Sequence, residues 1–591
     1  MYRHILFLLT ILPLCIQAAP AKVYNLKNYG VKPRSANTAS AINAALAKIK
    51  MESKGQEATV RLEKGVYYLS PDDAPDRIYY ISNHDQVVHH PTGVAIEGWE
   101  GLTFDGSGST LLCEGRMLPM SIVGCTDVTI KNLHIDFDNP HIAQITILSN
   151  DDNGITFRPS SEVRWDINDD KRFEAQGKGW KLQYDCGIAF DGETHHIVPQ
   201  TSDLGANLTD LVKKGDTVLA PNWKDARLPV GTRMALRSYD RPHPAIFMEA
   251  DTRTELVNIE VHYAEGMGLV AQMCTDIHLD QFDVCLAKGT ERYFTTQADA
   301  THFVQCRGKI VSENGLYEGM MDDAINVHGV YLRIRQRINQ RTIRCRFEHN
   351  QSWGYKWGEV GDSVVFVRSA TMDQLPFAGI IRRIDTAGGP IGGTTEYIIT
   401  LDRDIPAEVT EKEGYGIENT TWTPEVVFRN TIVRNNRARG ALFSSPRYTL
   451  CENNFFDHTS GTAILLCGDC NGWYESGAVR NLVIRNNRFL NSLTNMFQFT
   501  NAVISIYPEI PNLKDAKTYF HGGTKNSIVI CDNVFETFDS PLIYAKSVDG
   551  LLVRDNEVIY NHDFKPFHWN QKAVLLEHCG RTEVQDFPER K

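Results

Sequence analysis

One phrase returns along this chain and limits what it can fold into. It reads apolar, any residue, apolar, one or two polar residues, an asparagine, any residue, apolar. It occurs within Gly124–Phe137, Leu256–His262, Ala441–Phe456, Val479–Phe489, Ser527–Phe535 and Gly550–Val558. Period-two alternation marks short half-buried strands. Asparagine after a strand suits a tight bend, because it tolerates left-handed backbone and bonds its own main chain. Short strands, an asparagine bend and a period of twenty-odd residues describe a parallel β-helix, in which each coil buries its inward side chains against the coils above and below. A leucine-rich repeat would need helix-period segments between the strands, and none is present. A β-propeller would need about 40 residues per blade.

The open end of a β-helix must be covered. Within Thr38–Ile49, Ile42, Ala45, Leu46 and Ile49 share one helical face, which supplies a cap. Thr38 or Ser40 is the expected N-cap residue. Val23–Gly30 reads as a first strand and turn. Two stretches break the repeat, each with a Gly-Asp step feeding a β-branched strand, Lys213–Leu219 and Glu359–Val365. That is a hairpin signal, so both stretches read as small β-barrel-like inserts serving packing or contact between copies of the chain. The expected fold is all-β: a right-handed parallel β-helix with an N-terminal capping helix and two inserted barrels. Its expected divisions are a signal peptide at 1–19, β-helix at 20–139, an insert at 140–237, central β-helix at 238–331, a second insert at 332–423 and C-terminal β-helix at 424–591.

The signal peptide follows from Arg3, the apolar run Ile5–Leu14 and the small residues Ala18 and Ala19. The run is shorter than the roughly 20 apolar residues of a membrane span, so a secreted or periplasmic location is expected. Cys15 raises lipoprotein anchoring, but Leu14 stands where a small residue is wanted. A net charge of −12 with no basic tract argues against nucleic acid and anionic membranes as partners. A neutral sugar or a peptide fits better. The 13 cysteines are scattered, Cys467 and Cys470 being the nearest pair, and read mainly as small buried hydrophobes.

Chemistry is suggested by the stretch GMMDDAINVHG, Gly319–Gly329. Adjacent Asp322 and Asp323 would point to opposite sides of an ideal strand, and one would enter the core at severe cost. A strand end or bend opening on a cleft is therefore expected. Asp299 lies 23 residues before Asp322, about one coil, and coils stack ~4.8 Å apart. Three carboxylates on one face either bind a hard cation or share protons as acid and base. An exposed acidic edge without chemistry is the plain alternative. An inverting glycosidase holds its two carboxyls roughly 6.5–9.5 Å apart around a water, within reach of neighbouring coils with splayed side chains.

The stretches YYISNHDQ (Tyr79–Gln86), QADATHFVQCRG (Gln297–Gly308), GMMDDAINVHG, NNRARGAL (Asn435–Leu442) and GDCNGWYESGAVRN (Gly468–Asn481) resemble glycoside hydrolase family 110. With VYNLKNYGV at the cap, they place the chain near the pectate-lyase and polygalacturonase superfamily. The resemblance covers nearly all of the chain after residue 19. It implies exo-hydrolysis of terminal α-1,3-galactose with inversion, no metal and no cofactor. The implied substrates are blood group B structures, and in one subgroup unbranched Gal-α-1,3-Gal. The family's acidic positions map onto Asp299, Asp322 and Asp323. Analogy with polygalacturonases makes Asp322 the general acid and leaves Asp299 and Asp323 to hold the water.

Six further residues are candidate sugar contacts, each with a plainer structural reading. Trp473 offers a ring face to galactose or packs on the coil. Glu475 accepts hydroxyls or is a solvated loop charge. Asn326 and His328 share the face of Ala324, and His328 donates to a hydroxyl or is a satisfied structural histidine. Arg437 and Arg439 alternate around Ala438 on a strand, and bond hydroxyls, the aspartates or solvent. A β-helix polysaccharide lyase is the rival enzyme, but it wants a basic catalytic residue, and the nearest lysine in sequence is Lys309. A non-catalytic sugar-binding β-helix is the rival of another class.

Overall fold

The computed structural model describes residues 21–36, 38–389 and 393–590; the expected signal peptide at 1–19 lies outside them. The repeat phrases fold as stacked strands in parallel register. One ladder runs through Tyr448–Glu452, Asn481–Arg485, Ile528–Cys531 and Leu551–Arg554. A second runs through Phe455–Asp457, Arg488–Leu490, Val534–Thr537 and Glu557–Tyr560. A third runs through Leu269–Gln272, Thr301–Val304, Ile325–Val330, Ala441–Phe443, Ile464–Leu466 and Ile504–Ile506. Parallel pairing of successive coils in all three is the β-helix.

The polar pair between the first two ladders divides its work. Its first residue takes left-handed backbone: Asn453, Asn486, Asp532 and Asp555 have φ between 54 and 56°. Its second turns inward as a buried ladder. Asn454, Asn487 and Asn533 each donate both the main-chain N–H and the carboxamide N–H to Oδ1 of the asparagine one coil later, Asn487, Asn533 and Asn556 in turn, at 2.9–3.1 Å. A polar side chain in the core is tolerated because each bonds the next. Beside it, Phe456, Phe489 and Phe535 stack with ring centroids 5.2 and 5.0 Å apart. One continuous apolar core follows the coil axis.

The helix Thr38–Ser53 covers the N-terminal end with Ile42, Ala45, Leu46 and Ile49 buried. Thr38 and Ser40 both stand inside the helix rather than before it, so neither is its N-cap. The first insert leaves the coil after Thr126–Phe137 and is antiparallel, from Ala143–Asp151 to Arg233–Arg237, around its own core. Its Gly215-Asp216 step closes a hairpin between Val212–Lys214 and Thr217–Ala220. The second insert closes into a six-stranded barrel: Ser363–Arg368, Gly379–Thr386, Glu396–Leu401, Thr342–Arg346, Leu332–Arg337 and Tyr415–Asn419, which returns to Ser363–Arg368. Here the Gly361-Asp362 step starts a strand but closes no hairpin, because Ser363–Arg368 pairs only with strands that follow it, Asp373–Gln374, Gly379–Thr386 and Tyr415–Asn419. Cys467 and Cys470 are buried free thiols, not a disulfide. Among the described residues no helix is long and apolar enough to cross a membrane.

Candidate active site

The third ladder positions the acidic residues. Asp299 precedes the strand Thr301–Val304, and Asp322 and Asp323 lie in the bend before Ile325–Val330. Thr301 pairs with Ile325, and Ile325 with Ala441. Two positions back along the chain, Asp299, Asp323 and Arg439 therefore fall in one column across three coils. The Ala300 N–H donates to the Asp323 carbonyl at 2.8 Å, and the Asp323 N–H reaches Asp299 Oδ1 at 3.4 Å. The 23-residue spacing puts Asp299 beneath the Asp322–Asp323 pair, and within that pair the register sets it against Asp323. Asp322 is left one step aside, its side chain 21% exposed, while Asp299 and Asp323 are 3% and 1% exposed.

Arg439 answers Asp323 with a fork. Its Nε and Nη2 donate to Oδ1 and Oδ2 at 2.8 and 2.7 Å, and its main-chain N–H adds a third bond at 3.0 Å. Arg437 forks onto Asp203 of the first insert at 3.0 and 2.7 Å and approaches Asp322 at 3.3 Å. The two arginines are not on a strand, as the alternation suggested. They flank a bend in which Ala438 has φ +65°, and the Asn436 carboxamide ties that bend to the Asp322 carbonyl at 3.1 Å. The left-handed residue is what turns both guanidinium groups toward the aspartates.

The charges are unequal. Burial pushes the Asp299 carboxyl well above the ordinary carboxylate range, and the Asp322 charge adds to this. Burial pushes Asp323 the same way, against the pull of Arg439. Burial opposes Asp322 too, but Arg437 and Arg439 together hold its carboxyl below the usual value. Three hydrogen bonds from one arginine mark Asp323 as the ionised member of the buried pair, so the proton belongs on Asp299. In the unliganded site the acidities thus run opposite to the division of roles that the resemblance implies, with the pocket-facing Asp322 ionised and Asp299 protonated.

Behind Asp299 stands a histidine that sequence reasoning missed. His302 Nδ1 lies 2.7 Å from Asp299 Oδ2, and His302 Nε2 lies 2.8 Å from His328 Nε2. His328 does not line the pocket as a sugar contact. Its Nδ1 donates to the Gly329 carbonyl at 2.7 Å, and its Nε2 faces Glu475 Oε1 at 3.5 Å. The signals for His302 were its place three residues after Asp299 and its inclusion in the stretch Gln297–Gly308 that carries the resemblance.

The pocket above the aspartates is walled by Asn83, Arg241, Asn326, Trp473, Glu475 and Phe499. Glu475 accepts from Asn83 Nδ2 at 3.1 Å and sits on a short strand antiparallel to Ile325–Val330. Asn326 pairs in register with His302 and hydrogen-bonds Glu475. The Trp473 ring stacks on His349 with centroids 4.4 Å apart, and the Arg241 guanidinium lies 5.9 Å from it. Arg241 is in turn held by Gln351 at 2.9 Å. His349 and Gln351 come from the second insert, and Asp203 from the first. The expected role of the inserts is packing or contact between copies; both also reach the site, because the coils they interrupt carry it. Asn83 and Arg241 could not be picked out beforehand, since nothing local marks a residue that arrives from another coil.

One oxygen from each of the three aspartates lies within 4.8 Å of the others, closer than the carboxyl spacing expected from the sequence. In-register stacking and the shared arginines draw them together. Arg437 and Arg439 already occupy the counter-charge positions that a cation would take. Activity is accordingly expected to be unchanged after EDTA treatment and dialysis. A loss that added calcium restores would make the triad a cation site instead.

A family model described as GLAA-B beta-barrel domain I matches residues 143–234, within the first insert. The chain is 52% identical over 574 residues to a protein of Bacteroides fragilis named alpha-1,3-galactosidase B, covering 96% of each chain. It is also 52% identical to an alpha-1,3-galactosidase B of Phocaeicola vulgatus, covering 97% of this chain and 98% of that one. Identity to an alpha-1,3-galactosidase A of Bacteroides fragilis is 30%, covering 99% and 95%. The matches to the two B-named proteins cover 96% and 97% of this chain.

Proposed function

The chain belongs to the alpha-1,3-galactosidase B family of glycoside hydrolases, and from that premise we propose the course of its reaction: terminal α-1,3-linked galactose is removed with inversion of configuration. Water held between Asp299 and Asp323 attacks the anomeric carbon, and Asp322 protonates the departing oxygen. The observation that carries this reading is the column itself. One water bonded to two oxygens at ~2.8 Å each spans about 4.4 Å between them, which the Asp299–Asp323 approach accommodates. The acid and base are closer than the roughly 6.5–9.5 Å of most inverting pairs, because coil spacing sets their separation and the water is bracketed by two carboxylates on one side of the ring.

The pocket, walled by residues from five segments, suits one terminal sugar. Trp473 offers an apolar surface beside it, and Asn326 and Glu475 offer hydroxyl partners. Blood group B glycans are the substrates of this reading, with unbranched Gal-α-1,3-Gal alongside. Residues 1–19, read as a signal peptide, put the work outside the cytoplasm. The lyase and the non-catalytic binding module are set aside by the family.

Galactose is expected from blood group B trisaccharide and from Gal-α-1,3-Gal, appearing first as the β-anomer. Proton NMR during early turnover, before mutarotation, measures it. An initial α signal would mean direct carboxylate attack, and would remove Asp299 and Asp323 from the role of holding water.

A further inference from the structure

The chain Asp299–His302–His328 has three links, and counting protons along it has a consequence. The Gly329 carbonyl only accepts, so His328 Nδ1 carries a proton. One proton must lie between the two Nε2 atoms, and one between His302 Nδ1 and Asp299 Oδ2. Three links need three protons. A carboxylate and two neutral imidazoles supply two. The chain therefore holds one proton more, and its bonds are satisfied wherever that proton sits. On Asp299 it makes a carboxylic acid donating to His302. On His302 or His328 it makes an imidazolium, and Asp299 becomes a bare carboxylate. Each form turns into the next when a proton crosses its own hydrogen bond, with no side chain moving. Glu475 Oε1, 3.5 Å from His328 Nε2 at the far end, is a buried counter-charge for the imidazolium form. Burial opposes the Glu475 charge, but His328 and His302 outweigh it and hold its carboxyl below the usual value; burial pushes the His302 imidazole well below its own, which keeps the resting proton on Asp299.

We infer that His302 and His328 form a proton relay, backed by Glu475, that strips Asp299 of its resting proton and so makes it a base. This rests on the inverting reaction given above. It also removes the reversal of acidities in the unliganded site. Once the proton stands on His328, the charge left on Asp299 repels that on Asp322 and favours protonation of Asp322, the acid. At attack, the water O–H proton passes to Asp299 as the new C–O bond forms. The glycosidic C–O bond breaks and its oxygen takes the proton of Asp322; the proton gained by Asp299 then leaves to solvent and Asp322 takes one up from solvent, so each turnover consumes one water and no net proton. His302 borders the pocket beside Asp299 and His328 stands behind it; both are positioning residues here, because they act on the reaction through Asp299. The charged and titratable groups facing the relay are Asp322, Asp323 and Arg439 on neighbouring coils, Arg241 and Glu475 across the pocket, and His84 from the segment Tyr79–Gln86.

His302→Gln and His328→Gln each break one link while keeping a polar side chain of similar reach. The test is kcat, KM and the pH profile of kcat/KM for wild type and both variants, with the thermal midpoint of each. For either variant kcat is expected to fall about 10- to 100-fold, with KM changing less than about threefold. The acid limb of kcat/KM should move to higher pH, because a base that keeps its proton must be titrated further up. A purely structural histidine would lower the thermal midpoint and leave that limb in place. An unmoved limb in a folded variant overturns the relay, and either variant alone suffices. Wild-type enzyme that releases no galactose, or α-galactose first, overturns the underlying reaction instead, so the two failures are distinct.

Discussion

Asp299→Asn, Asp322→Asn and Asp323→Asn are each expected to lower turnover of blood group B trisaccharide by ~100-fold or more, with the coil still folded. Asparagine keeps the shape of aspartate and removes only charge and proton exchange. The three should differ in stability. Asp322 is partly exposed and lies beside arginines that keep other partners, so its loss leaves little unpaired. At 299 the asparagine amide N–H can donate to His302 Nδ1 as the carboxylic acid did, so this variant should lose little stability. Asp323→Asn strands the Arg439 fork and should show the largest fall in thermal midpoint. Turnover and calorimetry on the same preparations check this. If all three variants keep activity within a few-fold of wild type, the reaction is done elsewhere.

Arg439→Met is expected to cost about 3–5 kcal/mol of stability and nearly all activity. Methionine fills a similar volume but leaves Asp323 a buried carboxylate with no cation. Asp323 must then take up a proton, and it can no longer accept one from water. Arg439→Lys keeps the charge but cannot reproduce two parallel N–H bonds, so it should fall between methionine and wild type in both measurements. The double variant Asp323→Asn with Arg439→Met should recover much of the stability and none of the turnover. Urea midpoints with kcat for the four proteins measure the set. A stable Arg439→Met enzyme with ordinary kcat would show that the column does not depend on its arginine.

The coil was legible because its physics is local and repeated. An apolar alternation buries one face of a strand wherever it stands, and a left-handed residue after it turns the chain at Asn453, Asn486, Asp532 and Asp555 alike. The cap was legible for the same reason, as a single helical face. The three aspartates could be placed near one another from their spacing, since one coil of a β-helix is a nearly constant length of chain. The second asparagine of each pair was seen as part of a bend, but its role as an inward ladder was not, because that depends on the neighbour one coil away.

What the sequence by itself determined is a parallel β-helix with two interruptions and an acidic column on one of its faces. Only the tertiary structure decided which carboxylate stands over which, since a one-residue difference in coil length is enough to choose between Asp322 and Asp323 as the partner of Asp299. It also decided the charge state of each, because Arg437 and Arg439 belong to the next coil, 116 residues away for the Asp323–Arg439 pair. His302, Arg241, His349 and Asp203 enter the site from four stretches with no common motif. The physical reason is range. Strand periodicity and bend preference act within a few residues, whereas pairing, burial and proton placement are set by groups that meet only when the coils stack and the inserts fold back over them.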